Sequence, residues 1–325
     1  MKRSIIAASL ILIMCGFGLG VTTGWAEKYP GHPIQLVVPL PPGAQGDVSA
    51  RILSDELGKI LGTQIIVINK PGASLVLGTD AVVRSKKDGY TLLYTSSGAM
   101  VYTRINNPET VPYDPAKDLE PLGTHLFYPL TATVQATSPW RTFTELIDYA
   151  KKNPGKLRVS TTGIGSTDHF NVGITQAVTG VEFTHVPFKG GESVVTALLG
   201  GHVEVTYDTL SKVYPYVESG KLRVLLISKK RADLPEIPTL TELGYKQGLI
   251  SAWFGFYAPV GIPEEVKNTL LPAIEKVIKD PILKAKTEKL GFIVDYKTPT
   301  ESRKLLAEDY ERGMAIAEKL GIIKK

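Results

Sequence analysis

The sequence of 325 residues holds a single cysteine, Cys15. From residue 27 onward there is none. That excludes disulfides, thiol nucleophiles and thiolate metal ligands there, and it suits an oxidising compartment. Histidine is scarce and scattered, with five in the chain. No H-E-x-x-H, G-x-S-x-G or G-x-x-x-x-G-K run occurs, so the signatures of zinc proteases, serine hydrolases and phosphate loops are missing. The spacing Gly16-x-Gly18-x-Gly20 falls in an apolar leader and carries no weight. No cofactor or metal site is expected. An excess of one charge is also missing: without Lys2 and Arg3, 35 basic residues face 32 acidic ones. They stand singly or in short pairs beside acids, so no nucleic-acid surface is expected. Beyond the leader there is no long uncharged apolar run, which argues against a multi-span membrane protein. A hydrophobic content of 43% argues against disorder.

The leader has a basic start, Lys2-Arg3, an apolar stretch over residues 5–19, and the small residues Gly24 and Ala26 around Trp25. This predicts a signal peptide over residues 1–26, cleaved after Ala26. An uncleaved anchor or a lipid on Cys15 are the alternatives. Met14, which is not small, argues against the lipid.

The rest reads as an α/β protein. Strands over 34–38, 65–68 and 90–94 alternate with helices over 47–61 and 77–87, a βαβαβ pattern that implies a parallel sheet. A second series follows, with helices over 142–152, 167–178, 192–199 and 211–219 and strands over 157–160, 181–186, 203–207 and 222–227. Residues 231–244, with Pro235 and Pro238, read as a linker. The tail has strands over 253–258 and 292–295 and helices over 264–279, 281–290 and 299–320, and it lacks a βαβ series of its own. Two α/β lobes follow from this pattern. The first spans 27–125 and 250–325, the second 126–249, and they cross near 120–135 and 245–258.

Ligands of open α/β sheets sit beyond the carboxyl ends of strands, at helix N-termini. Pro39–Asp47 is such a turn. Gly43 and Gly46 let backbone N–H groups approach a ligand, and the helix start behind them favours a carboxylate or phosphate. That places Pro42, Gly43, Ala44, Gln45, Gly46 and Asp47 at a site, or leaves a rigid turn capped by Asp47. Similar loops carry Ser96 and Ser97; Gly163, Gly165, Ser166 and Thr167; and Lys189 and Gly190. Asp208 and Thr209 end another strand, so Asp208 faces the same cleft or caps the helix behind it. His169 is the best candidate base, but no nucleophile is paired to it by motif. A structural or ligand-orienting role is the stronger reading.

One ordered set of segments carries a resemblance. Tyr29-Pro30-x-x-Pro33-Ile34-x-Leu36-Val37-Val38-Pro39 runs into Pro41-Pro42-Gly43. Asn69-Lys70-Pro71-Gly72-Ala73, Asp88-Gly89-Tyr90-Thr91-Leu92-Leu93 and Tyr113-Asp114-Pro115 follow. Then come Asn153-Pro154-Gly155-Lys156-Leu157, His185-Val186-Pro187-Phe188-Lys189-Gly190, Gly220-Lys221-Leu222-Arg223, Leu234-Pro235-x-x-Pro238-Thr239 and Trp253-Phe254-Gly255. Together these resemble the Bug-type solute receptors of tripartite tricarboxylate transporters. The resemblance implies a type II periplasmic binding fold: two α/β lobes, joined by two crossover segments, closing like a clamp on a small carboxylate. It implies a periplasmic receptor, expected as a monomer, that delivers a di-, tri- or aromatic carboxylate to the transporter's membrane subunits. It places the ligand at Pro42–Asp47, Ser96-Ser97, Gly163–Thr167 with His169, Lys189-Gly190 and Asp208-Thr209. The family's turn usually reads Gly-Gly-Gly-Thr-Asp after the prolines, where this chain has Gly43-Ala44-Gln45-Gly46-Asp47. A sensor subunit docking on a signalling protein and an exported hydrolase using His169 with Ser166 or an acid are the alternative functions.

Overall fold

The computed structural model describes residues 28–188 and 191–323. The leader with Cys15, and Lys189 and Gly190, lie outside the described residues. The chain opens with β1 (Ile34–Val38), α1 (Gln45–Leu61), β2 (Ile65–Asn69), α2 (Val76–Val83) and β3 (Thr91–Ser96). Short helices α3 (Thr103–Asn106) and α4 (Pro115–Asp118) lead to β4 (Leu119–Tyr128) and β5 (Leu130–Gln135). Next come α5 (Phe143–Lys152), β6 (Arg158–Thr161), α6 (Thr167–Thr179), β7 (Thr184–Pro187), α7 (Gly191–Leu199), β8 (Val205–Thr209), α8 (Leu210–Glu218) and β9 (Leu222–Ile227). The chain continues with β10 (Ala252–Pro259), α9 (Glu264–Lys279), α10 (Pro281–Glu288), β11 (Ile293–Lys297) and α11 (Pro299–Lys319).

Two sheets result, in the orders β11-β4-β10-β3-β1-β2 and β7-β6-β8-β5-β9. The expected βαβαβ opening is present, with β1 pairing parallel to both β2 and β3. The sheets as a whole are mixed. In the first, β10 runs antiparallel to β3 and β4. In the second, β5 runs antiparallel to β8 and β9.

The stretch expected only as a crossing near 120–135 holds two strands. Pro121, Gly123 and His125 break the strand pattern of β4, and the fold absorbs them: opposite β10 the register steps past Leu122 and His125 as bulges. His125 is buried, with Nδ1 2.8 Å from the Tyr94 hydroxyl. Burial pushes its pKa down to about 3, so the imidazole is neutral.

The chain leaves the first sheet at Tyr128 and enters the second at Leu130, with Pro129 as the only residue between. The second crossing, residues 228–251, returns beside it. Ser228 Oγ accepts from Leu130 N (2.9 Å) and lies 2.8 Å from Ser251 Oγ. Both crossings therefore meet at one point.

Helix α11 fastens the tail to the first sheet. The Trp253 indole donates to Asp309 (2.7 Å), and Ser302 Oγ accepts from Thr124 N (2.9 Å). The helix also reaches the other lobe, where Leu320 lies so close to Gly173 of α6 that a Cβ there would stand 2.6 Å from Leu320 Cδ1. One apolar core accordingly runs through both halves and includes Trp253, Tyr257, Phe143, Phe170 and Tyr207. A second fills the other face of the first sheet under α1 and α9, and a third lies under α7 and α8. No described helix is long and apolar enough to cross a membrane.

Candidate functional site

The carboxyl ends of β1 and β3 face those of β6 and β8 across a cleft of about 750 Å³, within the range that takes a small organic ligand. From the first sheet it is lined by the β1–α1 turn, Ser74, Leu75, Ser96, Gly98 and residues of α3. From the second it is lined by residues 162–168, Asp208, Thr209 and Lys212. Tyr128 and Leu130, at the crossing, form part of the wall with Phe254.

The β1–α1 turn owes its shape to two glycines and one acid. Gly43 sits at φ +81°, in the left-handed region that glycine enters without steric penalty. At Gly46 a Cβ would stand 2.5 Å from the Phe254 ring and 2.6 Å from Leu40. Helix α1 starts at Gln45, behind Ala44, whose side chain offers no cap. The first-turn N–H groups therefore have no side-chain acceptor, which suits an anion.

Asp47 turns away from the cleft. It accepts from Gly43 N (2.8 Å), Arg51 Nε (3.0 Å) and Asn69 Nδ2 (2.8 Å), and Asn69 also donates to Leu40 O (2.9 Å). Burial alone would raise its pKa, but the bonds from Arg51, Gly43 and Asn69 outweigh that and hold it below the ordinary carboxylate range. Asp47 thus braces the turn from behind.

In the second lobe, Ser166 caps α6, accepting from His169 N at 3.2 Å, with Gly163 and Gly165 in positive-φ conformations ahead of it. Asp168 Oδ2 accepts from both the backbone N–H (3.2 Å) and the hydroxyl (2.5 Å) of Thr162. Asp208, fully buried at the end of β8, accepts from Thr209 N (2.7 Å) and Lys212 Nζ (3.1 Å) through Oδ1. Burial raises both carboxyls. The Asp208 charge raises Asp168 further, to about 7, and Lys212 tempers the rise at Asp208.

The structure therefore brings Gly43, Ala44, Gln45, Gly46, Ser96, Gly163, Gly165, Ser166, Thr167, Asp208 and Thr209 to one cleft. It leaves four expected residues off the lining. Pro42 stays outside, and Asp47 is drawn behind the turn by Arg51 and Asn69. Ser97 is buried, its hydroxyl accepting from Trp253 N at 3.4 Å. His169 accepts from Gly165 N (3.1 Å) through Nδ1 and stacks on His185 at 4.2 Å, so its ring supports the loop from outside the cleft. Burial, and then His185, push it down to about 4.

Asp168, Lys212, Tyr128 and Asn106 also line the cleft and were not singled out from sequence. Lys212 follows Asp208 by four residues, which is helical spacing for an ion pair and a readable signal. Tyr128 carried none, because its place depends on how the two sheets meet. No group of three or more potential metal-ligating side chains occurs among the described residues.

The profile described as tripartite tricarboxylate transporter family receptor matches residues 49–322. A Cupriavidus necator protein, described as UPF0065 protein in gbd 5'region, is 37% identical over 302 residues, covering 92% of this chain and 90% of its own. Protein BugT of Bordetella pertussis is 31% identical, covering 99% of this chain and 98% of its own. A TctC solute binding protein structure from Polaromonas superposes with a TM-score of 0.79 at 30% identity, covering 90% of this chain and 99% of that one. An R. palustris protein solved with adipate has a TM-score of 0.76 at 27% identity, covering 90% of this chain and 98% of that one. MatC from Rhodopseudomonas palustris, with bound malate, gives 0.72 at 26%, covering 89% and 100%. With its two mixed sheets and crossing pair, this chain belongs to the family of tripartite tricarboxylate transporter receptors.

Proposed function

We propose that the protein is an exported, non-enzymatic receptor that captures a small carboxylate between its lobes and presents it to the membrane subunits of a tripartite tricarboxylate transporter. The observation that carries this reading is the cleft, with an uncapped helix start on one side and strand-end loops of the other sheet opposite. The relatives solved with adipate and malate support the carboxylate class. The leader supports export to the periplasm with release by cleavage, and the protein is read as a monomer there. The two lobes, expected as 27–125 with 250–325 and 126–249, would close about the paired crossings at Tyr128–Leu130 and Ser228–Ser251, with the first lobe keeping β4 to Tyr128. Contacts to both lobes then favour the closed state.

The hydrolase reading finds no support in the geometry. The Ser166 hydroxyl donates to Gly163 O (2.8 Å) instead of the His169 ring, which is engaged by Gly165 and His185. A thermal-shift screen of the protein, refolded to strip carried-over ligand, tests the receptor reading against carboxylates, phosphorylated compounds and sugars. A ligand at ~100 times its dissociation constant adds about 2.7 kcal/mol. A shift confined to carboxylates is expected. Shifts with phosphorylated compounds or sugars alone would overturn the reading.

A further inference from the structure

Among the described residues, the second-lobe end of the cleft carries two carboxylates, Asp168 and Asp208. Asp168 is 5% exposed and lines the cleft. Both donors it meets, the Thr162 N–H and hydroxyl, go to Oδ2. Among the described residues, no group donates to Oδ1. Asp208, fully buried beside it, accepts from Thr209 N and Lys212 through Oδ1, while Lys212 stands 3.5 Å from Oδ2. Lys212 is the sole cation among the described residues of the lining, and it is already committed to Asp208. Among the described residues, two carboxylates and one ammonium leave this end with an excess negative charge once both acids are ionised, and with an unfilled lone-pair direction at Asp168 Oδ1. Buried carboxylates call for donors. A second carboxylate on the ligand would add a third like charge, whereas an ammonium would complete the pairing.

We infer that Asp168 and Asp208 form a donor-selecting subsite, so that the ligand is a carboxylate bearing an ammonium at its far end rather than a diacid of the same length. Its carboxylate lies at the α1 turn and its ammonium bonds Asp168 Oδ1 and Asp208 Oδ2. The inference rests on the carboxylate-receptor reading and narrows its substrate class.

Calorimetric titration at pH 8.0, where Asp168 is ionised, compares two ligand series of matched chain length: α,ω-dicarboxylates and ω-amino acids of four to eight carbons. The tightest ω-amino acid is expected to bind at least roughly tenfold more tightly than the tightest diacid. In Asp168→Asn and Asp208→Asn, each checked for folding by circular dichroism, amino-acid affinity is expected to fall about tenfold or more while diacid affinity holds or rises. A wild-type preference for diacids, or equal affinity for the two series, overturns the inference and leaves the receptor reading standing. Equal loss of both series in the folded variants overturns it as well, because that is a structural effect. Binding of neither series overturns the inference, and the receptor reading is then decided by the carboxylate thermal-shift screen. The wild-type comparison needs no variant, so a variant that fails to fold does not protect the inference.

Discussion

Gln45 donates a hydrogen bond from its side-chain amide to the Ser211 hydroxyl, across the cleft and 166 residues along the chain. It stands in the β1–α1 turn, at the start of α1. A second bridge runs from Asn106 Nδ2 to the Gly165 carbonyl. These two contacts join the two halves of the molecule beside the cleft independently of the paired crossings, so the proposed closure would make use of them.

Removing the first bridge shifts the balance toward the open form. A net hydrogen bond contributes about 0.5–1.5 kcal/mol, so Gln45→Ala is expected to weaken ligand binding roughly 2- to 12-fold. Small-angle scattering should show a larger radius for the ligand-free variant than for the wild type. Unchanged affinity together with an unchanged radius would show that the bridge has no part in closure.

Asp47 ties the ligand turn to α1 and β2 through Gly43, Arg51 and Asn69. Asp47→Ala takes the charged acceptor from Gly43 N–H and from Arg51, and leaves the half-buried Asn69 Nδ2 with only its bond to Leu40 O. A loss of about 1–3 kcal/mol in denaturant unfolding is expected, with weaker ligand binding. A variant as stable as the wild type would mean that the turn holds its shape without this brace.

Three consecutive residues that are not glycine, Ala73, Ser74 and Leu75, have φ of 45°, 52° and 78°. Left-handed backbone costs an L-residue roughly 1–2 kcal/mol. Glycine at Ser74 relieves that strain but loses more freedom on folding. Ser74→Gly is therefore expected to raise stability by up to about 1 kcal/mol, read as a higher unfolding midpoint. Destabilisation would mean that the Ser74 side chain contributes more than the strain costs. The Ser74 carbonyl, which accepts from Thr103 at 3.0 Å, is kept in the variant.

Asp168 makes stability depend on pH. Burial, then the Asp208 charge, push its carboxyl from 3.8 up to about 7. Between these values the folded protein keeps a proton that the unfolded chain has released. This contribution is full below pH 3.8 and is lost as pH rises through about 7. Asp168→Asn removes the titration. Melting curves of both proteins at pH 5 and pH 8 should show the variant gaining on the wild type as pH rises. A difference that is constant, or that moves the other way, would contradict the raised carboxyl.

Much of the fold is legible in the sequence. Strands β1 and β9 and helix α9 have the expected bounds, because each is an apolar or amphipathic run closed by glycine, proline or a charged cap. Strands β4 and β5 are hidden, since Pro121, Gly123 and His125 read locally as breakers. Pairing against β10, with bulges at Leu122 and His125, and against β11 on the other edge makes β4 a strand. At the cleft, Gly43, Gln45, Gly46 and Asp208 are brought to the lining because they follow strand ends. Asp47 and His169 lie in the same segments, but their side chains turn away from the cleft. Their direction is set by Arg51, Asn69 and His185, which sequence position does not reveal.

Calorimetric titration of the carboxylate that most raises the melting midpoint tests the central claim most directly, using the refolded wild type, Gly46→Ala and Asp208→Ala. These two substitutions stand on opposite walls of the cleft. The expected result is saturable one-to-one binding to the wild type, weakened at least roughly tenfold by each substitution. Wild-type affinity in both folded variants would place the carboxylate elsewhere and contradict its capture between the lobes.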